Sequence, residues 1–220
     1  MHLRLYSHPF ASFCQKVLIA LYEHDTPFEQ QVVDLGDPQQ AAALKALWPI
    51  GRFPVLHDEK NGDVVAESSI IIEYLDQRHA RGERLVPADR DAALEVRRWD
   101  RFFDTYVMEP MQKIVTDRLR PDDGHDSIGV AQARQLLDTA YDILDDVLAS
   151  RTWAAGETFS LADCAAAPAL YYAALVQPFA PAHAHLAAYY ARLAARPSFA
   201  RVVAEAAPYR HLFPQERQPS

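Results

Sequence analysis

The sequence predicts an α/β domain followed by an all-helical domain. Over residues 1–80, short segments of alternating hydropathy take turns with helix-period segments, whereas only helical patterns follow a polar linker at 81–90. Strands and helices that alternate along a chain indicate a sheet with helices packed against it. We therefore expect an α/β domain at 1–80, a helical domain at 91–210 and a C-terminal tail at 211–220.

The elements of the first domain follow from local patterns. Residues 2–6 alternate as a strand, and a helix-period run begins at Ser12. The next elements are a strand at 28–33, a helix at 38–47, a strand at 55–57, a strand at 64–66 and a helix that opens at Ser68 or Ser69. Asn61-Gly62 suits the hairpin turn between the last two strands. The predicted order is βαβαββα.

The second domain is predicted from helical periodicity and its breakers. The expected helices cover 91–119, 131–149, 161–177, 183–195 and 197–206. Prolines and glycines separate them, since neither residue favours a helix interior. Ser160 with Asp163 three residues later is a typical helix start, because serine caps free N–H groups and an acid suits the helix dipole.

Composition and charge restrict the partners. Half of the 220 residues are apolar, and the formal net charge is −8. Phosphate binding needs clustered positive charge, so we expect no nucleic-acid partner. No run approaches the roughly 18 apolar residues of a membrane span, and the strand-like start MHLRLY does not resemble a secretion signal. We expect a cytoplasmic protein without a membrane partner.

Motifs for disulfides, metals and nucleotides are missing from the sequence. Cys14 and Cys164 lie far apart in helical segments, which favours free thiols in a reducing compartment. The nine histidines form no HExxH pattern, and no CxxC pair occurs. The seven glycines form neither GxGxxG nor a P-loop. We therefore expect no metal site and no nucleotide site.

Pro54 stands at the start of a predicted strand, where a proline removes a ladder donor. A cis Phe53-Pro54 bond costs only about 0.5–1 kcal/mol relative to trans. It turns the Phe53 N–H and C=O away from the sheet, where they can pair with an extended, peptide-like ligand. A trans proline on an edge strand explains the residue equally well, so both alternatives stay open on the residues alone.

Several segments together resemble the cytosolic glutathione transferases. They are PIGRFPVL at 49–56, Glu67-Ser68 before a helix, LYS at 5–7, SFCQKVLIAL at 12–21 and FSLAD at 159–163. Their order and spacing cover the whole chain. The resemblance implies a thioredoxin-like first domain, a cis proline at Pro54, a twofold homodimer, and glutathione with a small hydrophobic electrophile as substrates.

The resemblance also implies roles for residues near Pro54. The Phe53 backbone would hold the cysteinyl amide of glutathione, and Glu67 and Ser68 its γ-glutamyl end. A serine at a helix N-terminus suits a carboxylate, and a glutamate can accept from an ammonium group. Arg52 would reach the glycyl carboxylate. Ser68 as a simple helix cap, Glu67 as an exposed strand end and Arg52 in a surface salt bridge are the alternatives.

The loop between the first strand and helix carries the candidates for thiol activation. The slot that commonly holds a catalytic serine or cysteine is occupied by Ala11, which departs from the family pattern. Ser12, one residue later, is the first candidate, although it could serve as an N-cap. Tyr6 at the strand end is the second, and Cys14, in an apolar setting typical of a core cysteine, the third. Ser7 or His8 could line the pocket.

The electrophile and the reaction type leave further alternatives. Aromatic and methionine side chains that could line its pocket are Phe10, Phe103, Tyr106, Met108 and Met111, each of which also suits ordinary core packing. Asp100 or Asp104 could reach the partner subunit's glutathione. The leading hypothesis is a glutathione transferase. A zeta-like isomerase, suggested by the SFC stretch, and a non-catalytic glutathione-binding or regulatory module are the alternatives.

Overall fold

The first domain is a four-stranded sheet with helices on both faces. The computed structural model describes residues 2–216, so residues 217–220 of the predicted tail lie outside it. The elements in chain order are β1 (Leu3–Ser7), α1 (Ser12–Glu23), β2 (Glu29–Val32), α2 (Pro38–Leu47), β3 (Val55–Asp58), β4 (Asp63–Ala66) and α3 (Ser68–Arg78). This is the βαβαββα order predicted from the sequence.

The strands run in the order β2-β1-β3-β4. β1 and β2 are parallel, which requires the crossover through α1, whereas β3 is antiparallel to both β1 and β4. β3 and β4 are joined by a hairpin in which Gly62 has a φ of +73°, a left-handed conformation that glycine adopts without a steric penalty. The expected hairpin around Asn61-Gly62 is confirmed.

The two faces of the sheet have different cores. Successive side chains on a strand point to opposite faces, and Leu3 and Leu5 join the large core that includes residues of α1 and α3. Tyr6 lies on the other face, against a small cluster formed by Val33, Leu44 and Val55. Of the residues in α2, only Leu44 is fully buried, so this helix attaches to the sheet through little apolar surface.

The second domain consists of helices around one buried helix. They are α4 (Arg90–Phe102), a π-helix (Phe103–Met108), α5 (Glu109–Asp117), α6 (Ser127–Leu148), α7 (Leu161–Val176), α8 (Ala184–Ala194) and α9 (Pro197–Ala206). Short 3₁₀ segments cover Asp122–Gly124 and Ala207–Leu212. α7 is buried on almost every face and packs against both α1 and α4. None of the described helices is long and apolar enough to cross a membrane.

The predicted helix at 91–119 is divided by the π-helix. Pro110 lies at the start of α5 and has no N–H to donate to the carbonyl four residues earlier. The regular α-helical hydrogen-bond pattern therefore cannot run unbroken through this point. π-helical turns occur frequently at functional sites, and this one borders the groove described below.

The start of α7 is the capping box that the sequence predicts. Ser160 is the N-cap, and its N–H and hydroxyl donate to Asp163 at 2.9 and 3.0 Å. Asp163 also accepts from the Ala154 N–H at 2.9 Å and from the Tyr189 hydroxyl at 2.6 Å. Four donors thus satisfy one fully buried carboxylate.

Candidate functional site

A cavity of about 780 Å³ lies between the first domain and helices α4 and α5. Its wall contains every residue that the sequence proposes for ligand binding, namely Arg52, Phe53, Pro54, Glu67 and Ser68. Phe13, in the first turn of α1, contributes as well, whereas Ser12, Tyr6 and Cys14 are not among the lining residues. Strand, helix and loop ends thus meet in a single groove.

The backbone of Phe53 is available to a ligand. The Phe53-Pro54 peptide bond is cis, which excludes the trans alternative. Pro54 is buried and Phe53 half-buried. Among residues 2–216, neither the Phe53 N–H nor its carbonyl oxygen has a hydrogen-bond partner. Because backbone polar groups are rarely left unpaired, an extended ligand in the groove is a suitable partner for them.

Glu67 has a strained backbone next to this point. Its φ is +68° and its ψ 116°, in a region where non-glycine residues are uncommon. Such strain costs of the order of 1–3 kcal/mol and clusters at ligand clamps. The Glu67 side chain is exposed and makes no capping hydrogen bond. Ser68 begins α3 and is buried, which brings its hydroxyl to the positive end of the helix.

The N-terminus of α1 lacks a side-chain cap. The N-cap residue is Ala11, not Ser12, and it makes no side-chain hydrogen bond. The N–H groups of Cys14 and Gln15 donate to the Ala11 carbonyl, whereas those of Ser12 and Phe13 have no partner within the described chain. Ser12 is therefore the first helical residue, and its free N–H accompanies its hydroxyl at the positive end of α1.

Comparisons with known proteins identify the family. Models described as the N-terminal and C-terminal domains of glutathione S-transferase match residues 5–84 and 107–197. Glutathione S-transferase 3 from Zea mays is 34% identical over 212 residues, which covers 92% of this chain and 93% of that protein. The chain belongs to the glutathione S-transferase family.

The chain is also similar to a protein with a different kind of name and to a solved glutathione S-transferase. FtsZ-localized protein A from Caulobacter vibrioides is 32% identical over 174 residues, or 74% of this chain and 73% of that protein. A glutathione S-transferase from Methylobacillus flagellatus, whose crystal structure contains bound glutathione, has a TM-score of 0.82 and 29% identity, with 91% of this chain and 98% of that chain covered. The expected architecture, a thioredoxin-like domain followed by a helical one, is confirmed.

Tyr6 and Cys14, the other two candidates for thiol activation, differ from Ser12 in their surroundings. The Tyr6 hydroxyl lies beside the Arg4 guanidinium, and the ring belongs to the small cluster on the α2 face of the sheet. Cys14 is fully buried, and burial raises the pKa of its thiol to about 12, although the His8 backbone N–H opposes the shift. The Cys14 thiol is therefore protonated at neutral pH.

The side chains of His8 and Ser7 also make specific contacts. The Ser7 hydroxyl accepts from Gln30 Nε2 at 3.0 Å. His8 Nδ1 accepts from the Phe10 N–H at 3.2 Å, and the imidazole lies between the rings of Phe53 and Tyr209, at 6.3 and 4.8 Å between centroids. Burial lowers the pKa of His8, so the neutral ring links the loop to the C-terminal segment.

A buried ionic cluster lies beneath the groove, and the sequence did not reveal it. Lys16 Nζ is 2.6 Å from Asp100 Oδ1 and 2.9 Å from Asp104 Oδ2, with all three side chains buried. Lys16 also donates to Ser69 Oγ at 2.9 Å, and Ser69 donates to Asp100 at 2.8 Å. Burial raises the pKa of Asp104, while Lys16 opposes that shift. The local signal is a lysine in a largely apolar helical run.

Asp100 and Asp104 thus have a partner within their own chain. They also form part of the cavity wall. A role toward a partner subunit's glutathione, which the resemblance suggests, requires them to share their oxygens with Lys16.

The residues considered for the electrophile pocket are dispersed. Phe103, Met108 and Met111 belong to the hydrophobic core. Tyr106 is exposed, while Phe10 packs edge-on against Tyr172 and Phe213 at 5.4 and 6.3 Å between ring centroids. Phe103, Met108 and Met111 therefore act as ordinary core side chains.

Proposed function

We propose that this protein is a glutathione transferase that binds glutathione in the groove and stabilises its thiolate for attack on a small hydrophobic electrophile. The observation that carries the proposal is the pair of Phe53 backbone groups that have no hydrogen-bond partner within residues 2–216, in a residue that lines the same cavity as Glu67 and Ser68. The Methylobacillus flagellatus relative, which contains bound glutathione, supports the choice of ligand.

The tripeptide fits the groups along the groove. The Phe53 N–H and carbonyl pair with the cysteinyl amide, as adjacent strands do. Ser68 and the first N–H groups of α3 receive the γ-glutamyl carboxylate, and the exposed Glu67 carboxylate accepts from the ammonium group. Arg52, also exposed, reaches the glycyl carboxylate.

Ser12 is the proposed thiol-activating residue. A free thiol with a pKa near 8.5 is ionised to only a few per cent at neutral pH. A hydrogen bond from the Ser12 hydroxyl, at roughly 1.5–3 kcal/mol, and the free N–H groups of the helix N-terminus together lower that pKa by about 1–2 units. The thiolate sulfur then forms a bond to the electrophilic carbon, and the leaving group departs with its bonding electrons.

The first test measures the thiol directly. Glutathione is titrated calorimetrically, and the thiolate absorbance of the complex is followed across pH. We expect binding with a lowered thiol pKa in the wild type, and in Ser12→Ala a pKa raised by about 1 unit with affinity little changed. If Ser12→Ala leaves the pKa and the turnover of an aryl halide unchanged, another group activates the thiol; Tyr6→Phe then tests the second candidate.

The second test concerns the γ-glutamyl end. Glu67→Gln removes a charge-assisted hydrogen bond, so we expect glutathione affinity to fall roughly tenfold while the thiol pKa stays constant. γ-Glutamyl binding at this residue is refuted by an unchanged dissociation constant.

We also propose that the protein is a cytoplasmic homodimer. The apolar side chains of Ile50 and Ile70 line the groove but are exposed, at 63% and 54% of their full area. A second copy that covers this rim would remove them from water. Light scattering at a few micromolar gives twice the monomer mass if this holds.

A non-catalytic module is the second candidate. Ala11 occupies the slot that commonly holds a catalytic residue in the family, and the similarity to FtsZ-localized protein A extends the relatives beyond those named as transferases. Tight glutathione binding without a lowered thiol pKa, and without aryl halide turnover, would favour this candidate.

A further inference from the structure

We propose that Tyr172 of the helical domain is a positioning residue that fixes the thiol-activating loop of the first domain. This inference rests on the proposed function, because it assigns to Tyr172 the placement of the Ser12 N–H and hydroxyl against the glutathione sulfur.

One phenolic hydroxyl joins both sides of the α1 N-terminus. Tyr172 Oη donates to the Phe10 carbonyl at 2.9 Å and accepts from Gln15 Nε2 at 3.0 Å. Gln15 Nε2 donates also to the Pro9 carbonyl at 2.9 Å. Tyr172 and Gln15 are 3% and 1% exposed, so water does not substitute readily for these bonds. The last residues of the loop and the first turn of α1 are thereby fixed to α7.

The loop has few other constraints at this point. Ala11, the N-cap, contributes no side-chain hydrogen bond, and its own N–H donates to the His8 carbonyl at 3.0 Å. A serine, threonine or aspartate at that position would bond the first turn itself. In this chain the bonds from Tyr172 and Gln15 restrain the loop from the far side. Burial raises the pKa of Tyr172, so the hydroxyl remains a donor at every pH at which the enzyme is assayed.

The Tyr172 hydroxyl is expected to affect thiol activation but not glutathione binding. Hydrogen bonding to a thiolate depends steeply on distance and angle, and catalysis depends on placement within a fraction of an ångström. The contacts proposed for the peptide part of glutathione, at Phe53, Glu67 and Ser68, lie on other elements. Loss of the Tyr172 hydroxyl therefore changes the thiol pKa and kcat, while it leaves the glutathione dissociation constant and KM close to those of the wild type.

The experiment compares two neighbouring tyrosines of α7. Tyr172→Phe keeps the ring contacts with Phe10 and Phe213 and removes only the hydroxyl. Tyr171→Phe is the matched control, because within residues 2–216 the Tyr171 hydroxyl has no hydrogen-bond partner, and the ring packs against Tyr172 and Phe199. Both variants are titrated with glutathione and scanned for thiolate absorbance across pH.

We expect Tyr172→Phe to raise the thiol pKa by about 0.5–1 unit. Its kcat, measured below that pKa, falls roughly three- to tenfold, with the dissociation constant within about twofold of the wild type. Tyr171→Phe matches the wild type in all three. Gln15→Met gives the same pattern as Tyr172→Phe, and the double variant adds little because both act on one loop.

Each outcome has a distinct meaning. A wild-type complex whose thiol pKa is not lowered removes the proposed function and this inference together. A lowered pKa that is the same in wild type and Tyr172→Phe removes only the inference. If Tyr172→Phe does not fold, Gln15→Met decides by the same measurements. Equal changes in Tyr172→Phe and Tyr171→Phe indicate a general packing effect and also overturn the inference.

Discussion

Two sites with buried carboxylates, one at the start of α7 and one beneath the groove, differ in how those carboxylates are stabilised. Within residues 2–216, Asp163 forms no ion pair. Four hydrogen bonds from neutral donors satisfy it, and two of them come from Ser160, three residues away. Asp100 and Asp104 instead share one ammonium group, that of Lys16, which lies 88 residues before Asp104.

The difference separates local from interdomain stabilisation. The Asp163 site secures one helix start and its neighbours within the helical domain. The Lys16 site joins α1 of the first domain to α4 and the π-helix of the second. Buried ion pairs contribute little net stability by themselves, but removal of one partner leaves an uncompensated charge and is strongly destabilising. The two sites should therefore respond differently to the loss of one group.

The largest effect is expected at Lys16. Lys16→Met leaves the buried Asp100 carboxylate without its cation and leaves Asp104 with only the exposed Arg101 guanidinium at 3.7 Å, and we expect the free energy of unfolding to fall by about 3–5 kcal/mol. Urea denaturation measures the loss. The double variant Lys16→Met/Asp104→Asn should recover part of it, since one charge is removed; equal stability of the single and double variants would break the proposed distinction between the sites.

A smaller loss is expected at Asp163. Asp163→Asn places an amide N–H₂ among donors, and we expect a loss of about 2–3 kcal/mol, because one or two buried donors remain unpaired. The matched control is Asp89→Asn at the exposed N-cap of α4, where the carboxylate accepts from two N–H groups. Asparagine caps as well as aspartate, so this control should change stability by less than about 0.5 kcal/mol. Similar losses of stability in Asp163→Asn and Asp89→Asn would mean that burial does not make Asp163 more important for stability than an exposed N-cap.

The smallest loss of stability is expected at Asp58, another buried carboxylate, and it should depend on pH. Burial alone would raise the pKa of this carboxyl, but hydrogen bonds from Tyr74, His79 and Asn61 prevail and hold it at about 2. A depressed folded-state pKa stabilises the protein above the unfolded value of about 4 and loses that effect as pH falls toward 2. We expect Asp58→Asn to cost about 1–2 kcal/mol at pH 7, with the difference from wild type shrinking over this range.

Burial raises the pKa values of Asp163 and Asp104, so their pH dependence has the opposite sign. The folded state binds their protons more tightly than the unfolded chain, and their contribution declines as pH rises above about 4. Thermal unfolding of the wild type and Asp58→Asn at a series of acidic pH values measures the stability that Asp58 contributes.

If the stability difference between the two proteins grows toward pH 2, the depressed pKa of Asp58 is contradicted.

What the sequence could predict follows the same division between local and distant interactions. The βαβαββα order rests on hydropathy within each segment, and the Ser160 capping box lies within four residues. Phe53-Pro54 is recognisable in the sequence because a proline conflicts with a strand. By contrast, the ion pairs of Lys16 and the hydrogen bonds of Tyr172 connect residues that only the folded chain brings together. The π-helix at Phe103–Met108 has Pro110 as a local signal, which indicates an irregularity without its type.

The weak attachment of α2 has a thermodynamic consequence for the groove. A helix that buries one leucine can separate from the sheet at a free energy far below that of global unfolding. Trp48 and Arg52, which follow this helix, belong to the groove wall. We therefore expect amide exchange in residues 38–47 to be faster than in the buried interface between α1 and α7, and to slow more when a ligand binds.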